Sequence, residues 1–128
     1  MQVTVVDNDK ALLRSLAIVL SREGHRVTCF DDAQAAAATI GEEGAPDVLI
    51  VDYVMPGLDG VDLLERVKPR LPACCTLILI SGHTDRLPVD RLARLGLSRV
   101  LSKPLDLQDL RDLVRGAPEG GENRNEAS

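Results

Sequence analysis

The sequence predicts an α/β fold, a parallel sheet covered by helices on both faces, and three observations predict it. Short apolar runs at residues 3–6, 48–51 and 77–80 alternate with segments whose apolar residues recur at spacings of three and four. The run at 48–51 is continuously apolar, which suits a strand buried on both faces rather than one with a solvated side. Each run also ends in polar residues beside turn formers, so functional groups collect at one edge of the sheet.

The elements follow in order. The first strand covers about residues 2–6. Asp9 then caps a helix carrying Leu12, Leu13, Leu16, Val19 and Leu20, stopped by Gly24. The second strand is 26–30, and Asp32 caps an alanine-rich helix ending at Gly41, where alanine favours helix and permits close approach to the sheet. Residues 48–51 form the third strand. Asp59 caps a helix using Val61, Leu64 and Val67, with Gly60 relieving the turn before it, and Pro69 ends that helix near Lys68. Residues 76–80 are the fourth strand, 88–95 a short, weak, charge-rich helix closed by Gly96, and 99–102 a brief fifth strand. Asp106 caps a last helix with Leu107, Leu110, Leu113 and Val114 on one side, ending at Gly116. Residues 1–116 are thus expected to be one domain. Residues 117–128, which hold no apolar residue larger than alanine, are expected to be a disordered tail or the start of a linker.

With 128 residues the chain has the size of a single domain, able to bury about two thirds of the surface its unfolded form exposes. Its core must be aliphatic, because Phe30 and Tyr53 are the only aromatics. No apolar run approaches the roughly 20 residues that span a bilayer, and the amino terminus lacks a basic segment followed by a long apolar one. A soluble, cytoplasmic protein is expected, with no membrane partner. The formal net charge of −5 argues against nucleic-acid binding spread over the domain. Cys29, Cys74 and Cys75 are odd in number and lack CxxC spacing, so reduced thiols buried in or beside strands are expected rather than a disulfide or zinc site.

Chemistry concentrates around Asp52, a carboxylate where a buried strand opens into a Pro56-Gly57 turn. If the strands are parallel, their carboxyl ends bring Asp7, Asn8, Asp9, Ser81 and Lys103 to the same edge. Acids, a hydroxyl and an ammonium together suggest phosphoryl chemistry.

The four strand ends read VVDND, DVLIVDYVMPGLDG, LILISG and VLSKP. In this order and spacing, over about residues 2–116, they strongly resemble the receiver domain of bacterial two-component response regulators. The resemblance implies a flavodoxin-like (βα)5 fold, with a five-stranded parallel sheet of order 2-1-3-4-5 and the active site at the switch point between the first and third strands. It implies that Asp52 accepts a phosphoryl group from a histidine kinase or phosphotransfer protein, and that Mg²⁺ is held by Asp7, Asn8, Asp52 and the backbone carbonyl of Val54. Ser81 matches the family's hydroxyl donor to the phosphoryl group. Lys103 matches the lysine that neutralises it, before a proline that is commonly cis.

Two positions depart from the family pattern. Asn8 stands where the second acid usually stands, and its amide oxygen can coordinate a cation but brings no charge, so weaker Mg²⁺ binding is expected. Sliding Asp9 into the metal site fits less well, because Asp9 suits the helix cap. Val100 stands where many receivers carry tyrosine or phenylalanine, so signal transmission from Ser81 has no ring to swing.

Arginines crowd the last third of the chain: Arg86, Arg91, Arg94, Arg99, Arg111 and Arg115, interleaved with Asp85, Asp90, Asp109 and Asp112. They suit either a mutually paired, solvated surface or a homodimer or output-partner face containing Arg94, Arg99 and Arg111. Two other functions stay open. A pseudo-receiver would keep the fold as an interaction module without phosphorylation. A haloacid dehalogenase-like phosphatase would use Asp7 as nucleophile, since VTVVDND resembles that family's DxD motif, although Lys10 is unusual there and no acidic pair follows Lys103 on a fresh apolar strand.

Overall fold

The computed structural model describes residues 1–42, 44–82 and 85–118. Five strands alternate with five helices: β1 (Gln2–Val6), α1 (Lys10–Arg22), β2 (Arg26–Phe30), α2 (Ala33–Thr39), β3 (Val48–Asp52), α3 (Gly60–Val67), β4 (Thr76–Ser81), α4 (Val89–Leu95), β5 (Arg99–Ser102) and α5 (Leu107–Arg115). All strand pairs are parallel, in the order 2-1-3-4-5, as the resemblance implied. Val3 to Val6 of β1 lie opposite Val48 to Val51 of β3, and Asp52 lies opposite Ile80 of β4.

Strand alternation divides the apolar side chains between two cores. On one face Val6, Leu49, Val51, Leu77 and Leu79 pack with the alanines of α2 and with Val61, Leu63, Leu64 and Val67 of α3. On the other, Val3, Val5, Val48, Ile50, Ile78 and Ile80 pack with Leu13, Leu16 and Leu20 of α1 and Leu110 and Val114 of α5. Both faces of the central strands are therefore dry. That is why the sequence shows continuous apolar runs where a half-exposed strand would alternate. Each strand's carboxyl end is then fixed by packing along its whole length.

The four aspartates read as helix caps all act as caps. Asp9 accepts from the N–H groups of Ala11 and Leu12, Asp32 from Gln34, Asp59 from Asp62, and Asp106 from Gln108 and Asp109. At the far end of α2, Arg70 donates to the carbonyls of Ile40 and Ala37 at 2.9 and 2.8 Å. It thereby satisfies acceptors left over where the helix stops. Pro69 lies in a short 3-10 turn, Lys68–Arg70, which follows α3 directly.

Three local readings need correction. Gly60 is the first residue of α3, and a Cβ there would run into the Asp52 carbonyl and stand 2.9 Å from the Tyr53 Cα. Close approach, not turn geometry, requires glycine at this point. The thiols are less buried than expected: Cys29 is exposed because β2 is an edge strand, and Cys74 and Cys75 are half-buried, all three free. Third, the packed chain runs past Gly116, since Ala117 is buried against the second core and its N–H donates to the Val114 carbonyl. Most of the expected tail, residues 119–128, lies outside the described residues. Among the described residues no helix is long and apolar enough to cross a membrane.

Candidate functional site

β1 and β3 lie side by side in the sheet but are joined through β2, so their helices leave on opposite faces and a crevice opens between their carboxyl ends. Asp7 follows β1 and Asp52 ends β3. Asp7 is wholly buried and Asp52 only 3% exposed. Lys103 follows β5, where its N–H donates to the Ser81 carbonyl at 2.8 Å and its bond to Pro104 is cis. Its Nζ stands 3.2 Å from Asp52 Oδ2 and 3.7 Å from Asp7 Oδ2. One ammonium thus lies against two buried carboxylates drawn from separate strands.

The charges in this cluster do not balance. Desolvation pushes the Asp52 carboxyl above its ordinary pKa and the charge of Asp7 adds to the rise, while Lys103 offsets part of it. Desolvation would lower the Lys103 pKa, but Asp7 and Asp52 together hold the ammonium above its ordinary value. Asp7 Oδ1 accepts from the Asp9 N–H at 2.9 Å. Among the described residues Asp7 Oδ2 is buried without a hydrogen-bond partner, its separation from Lys103 being too long for one.

That orphaned oxygen is the test of whether the residues fit a divalent cation, and they do. A surplus of negative charge, two buried carboxylates and further neutral oxygen donors suit a hard cation that keeps several of its waters. Among the described residues no three of His, Cys, Asp and Glu are grouped to hold a metal, so the donor set is short of acids. Asn8 is exposed at the rim and Val54 lies in the loop after Asp52 with its side chain 58% exposed. Asp9 is committed to the α1 cap, which leaves it no part in the alternative alignment.

Ser81 ends β4 opposite Ser102, buried, with its hydroxyl donating to the Gly82 carbonyl at 3.2 Å. It shares the edge with Asp52 but is turned to the backbone. Sequence reading missed two contributors. The Tyr53 N–H donates to the Ile80 carbonyl at 2.8 Å, which carries β3–β4 pairing past Asp52. Asp85 Oδ2 accepts from the Gly82 N–H at 2.5 Å, and its charge adds a smaller upward push on Asp52. An acid four positions beyond Ser81 was the available signal, and it was read only as part of the charged surface.

Arg91, Arg111 and Arg115 are paired, mostly with acids outside the interleaved set. Arg91 of α4 reaches Asp62 and Glu65 of α3 at 2.7 and 2.6 Å, and Arg111 and Arg115 reach Glu23 at the end of α1 at 3.5 and 2.5 Å. Arg99 and Arg94 are exposed, and Val100 is 39% exposed on β5. A cavity of about 690 Å³ lies at the opposite edge of the sheet, between the amino end of β4 and α4, away from the acids at Asp52.

The fold and site together define a doubly wound parallel domain with buried acids and a lysine at its switch point. Comparison with known proteins places it in a family. Residues 3–115 match the response regulator receiver domain, and the chain belongs to that family. Transcriptional regulatory protein FixJ of Bradyrhizobium diazoefficiens is 34% identical over 113 residues, covering 88% of this chain and 54% of that protein. Response regulator protein FleR of Pseudomonas aeruginosa is 35% identical over 114 residues, covering 88% of this chain and 24% of that protein. The chain thus spans about half of one relative and a quarter of the other. A response regulator receiver protein from Pseudomonas putida superposes with a TM-score of 0.78 at 28% identity, covering 89% of this chain and 94% of that one. The crystal structure titled FixJ-N gives 0.76 at 26%, covering 91% of each. Family membership removes the dehalogenase-like reading, whose second aspartate would in any case be Asp9, the α1 cap.

Proposed function

We propose that this receiver domain accepts a phosphoryl group on Asp52 from a histidine kinase or phosphotransfer protein, with Mg²⁺, and changes its affinity for a partner as a result. The observation that carries the proposal is the Lys103 ammonium set against Asp52 and Asp7 while Asp7 Oδ2 stays buried and unbonded. In the reaction an Asp52 carboxylate oxygen attacks phosphorus. A P–O bond forms, the P–N bond to the donor imidazole breaks, and the imidazole takes up a proton. Asp7, Asp52, Asn8 and the Val54 carbonyl would hold the cation, which when bound offsets the negative charge gathered on the phosphoryl oxygens.

The chain's own residues do the rest. Burial keeps competing water off the Asp52 carboxylate, and Lys103 offsets part of the rise in its pKa and gives a developing phosphoryl oxygen a charged donor. Ser81 can exchange its bond to the Gly82 carbonyl for one to a phosphoryl oxygen, a small rotation that moves the end of β4. Cytoplasmic location belongs with this reading, since histidine kinases act there. Exposed Arg94 and Arg99 would supply cations to a partner face, whereas Arg111 is tied to Glu23.

Treatment with acetyl phosphate and Mg²⁺, followed by intact mass, tests the proposal. A single phosphate adduct that is absent from Asp52→Ala supports it. No adduct under conditions that label a control receiver would favour the second reading, an unphosphorylated interaction module, which Asn8 in place of a second acid specifically recommends.

A further inference from the structure

Asp85 is an acid that acceptor chemistry does not require, yet it is bound to backbone at the acceptor's edge. Its Oδ2 takes the Gly82 N–H at 2.5 Å, a short charge-assisted bond, while its own N–H donates to the Gly82 carbonyl at 3.3 Å. Gly82 directly follows Ser81, and Ser81 lies one position beyond the residue paired with Asp52. The Asp85 carboxylate is near enough to Asp52 for its charge to be felt there. The Gly82 N–H is thus a donor already shown to take an anion, on the border of the space where Asp52 would carry its phosphoryl group.

A phosphoryl group brings about two negative charges and strong acceptor oxygens into that space. It would repel the Asp85 carboxylate and seek the same donor. We infer that Asp85 is an internal competitor of the phosphoryl group: it holds the Gly82 N–H in the resting domain and gives it up when Asp52 is occupied. The inference rests on the acceptor reading of Asp52 and adds a residue that sets how readily the site fills.

Release of Asp85 has a route outward. The Tyr53 hydroxyl donates to the carbonyl of the next residue, Arg86, at 3.4 Å, and α4 begins three residues later. That helix starts at Pro88 without a side-chain cap, so no capping hydrogen bond has to break when the segment leading into it is displaced, and the partial packing of Leu87 opposes the shift. Val100 supplies no ring to transmit the change; the segment from Asp85 to α4 supplies an alternative path.

Wild type, Asp85→Asn and Asp85→Ala are compared as full chains. Asparagine keeps a hydrogen-bond acceptor but removes the charge, and alanine removes both. Initial rates of acetyl phosphate labelling are read by intact mass, and affinity for beryllofluoride, a phosphoryl mimic added with Mg²⁺, is read by titration of backbone amide signals. Both variants are expected to label faster and bind beryllofluoride more tightly, by about tenfold for loss of one nearby like charge. In wild type the Gly82 amide signal is expected to shift when beryllofluoride binds, and in Asp85→Ala it should already be displaced before binding.

Rates and affinities within twofold of wild type in both variants would overturn the inference while leaving the acceptor reading intact. Slower labelling would also overturn it, since Asp85 would then assist. If neither wild type nor variant labels or binds, the acceptor reading fails and the competitor falls with it.

Discussion

β3 and α4 flank the residues gathered at Asp52 and are held in place in opposite ways. All five residues of β3 are buried, with Leu49 and Val51 in one core and Val48 and Ile50 in the other. In α4 only Leu95 is buried, no side chain caps its start, and Val89 in its first turn is 73% exposed. Polar ties supplement Leu95 and half-buried Leu92 in attaching it. Arg91 bridges to Asp62 and Glu65, and the Lys68 ammonium donates to the carbonyls of Arg94 and Leu95 where the helix ends at left-handed Gly96. Apolar packing resists displacement in every direction, whereas an exposed ionic tie exchanges readily with water. Asp52 therefore sits on the rigid side of the domain. α4 sits on the side with fewer buried apolar side chains, where lower local stability is expected.

Removing core volume should produce the largest effect. Ile50→Ala, which leaves a cavity between β3, α1 and α5, is expected to cost about 2–5 kcal/mol in urea denaturation. The equivalent truncation at half-buried Leu92 of α4 should cost clearly less. Equal losses would erase the contrast between the two regions.

The next effect in size has the opposite sign. Asp52 has a folded-state pKa above its unfolded value, so its contribution to stability is fully present at low pH and is lost as pH rises through the folded pKa. Asp52→Asn keeps the shape and cannot ionise. Without divalent cations it is expected to be more stable than wild type by about 1–2 kcal/mol at pH 7. The difference should close as pH falls below the ordinary carboxylate range. A variant less stable than wild type at pH 7 would mean that the Lys103 pairing outweighs desolvation and the repulsion from Asp7.

The features legible in the sequence are those with local periodicity or a local signal. The four caps, the strands β1, β2 and β5, and the collection of Asp7, Asp52 and Lys103 at one edge all follow from alternation, helix-start chemistry and parallel order. Features built by side chains meeting across the fold were not legible. Arg91 reaches 26 positions back to Glu65, Arg70 reaches 30 back to Ile40, and Arg115 reaches 92 back to Glu23. No spacing rule selects those partners over the nearer aspartates. Asp85 stayed hidden for a related reason: its role depends on which backbone N–H it meets, and a charged loop residue announces none.

Mg²⁺ affinity probes the rim of the buried region. Asn8 is exposed beside Asp7, where a carboxylate would add a full charge next to a dication. Asn8→Asp is expected to tighten Mg²⁺ by on the order of tenfold in isothermal titration. Unchanged affinity would remove Asn8 from the ligand set and leave Asp7 and Asp52 to hold the metal.

The smallest effect on stability should come from α4, and it is the one that tests how α4 is held. The Arg91 hydrogen bonds keep Asp62 and Glu65 below the usual carboxylate range, so those acids favour the tie above their ordinary pKa and lose it as pH falls through the lowered values. Both partners are largely solvated, so Arg91→Ala should leave the urea midpoint unchanged. Amide exchange in α4 should nevertheless quicken severalfold while β3 amides keep wild-type protection. The same loosening of α4 should appear in the wild type once acid has neutralised Asp62 and Glu65. If α4 exchange is unaltered in Arg91→Ala, then Leu95 and the Lys68 tie suffice to hold the helix, and α4 is less free to respond to Asp85 than its exposure suggests.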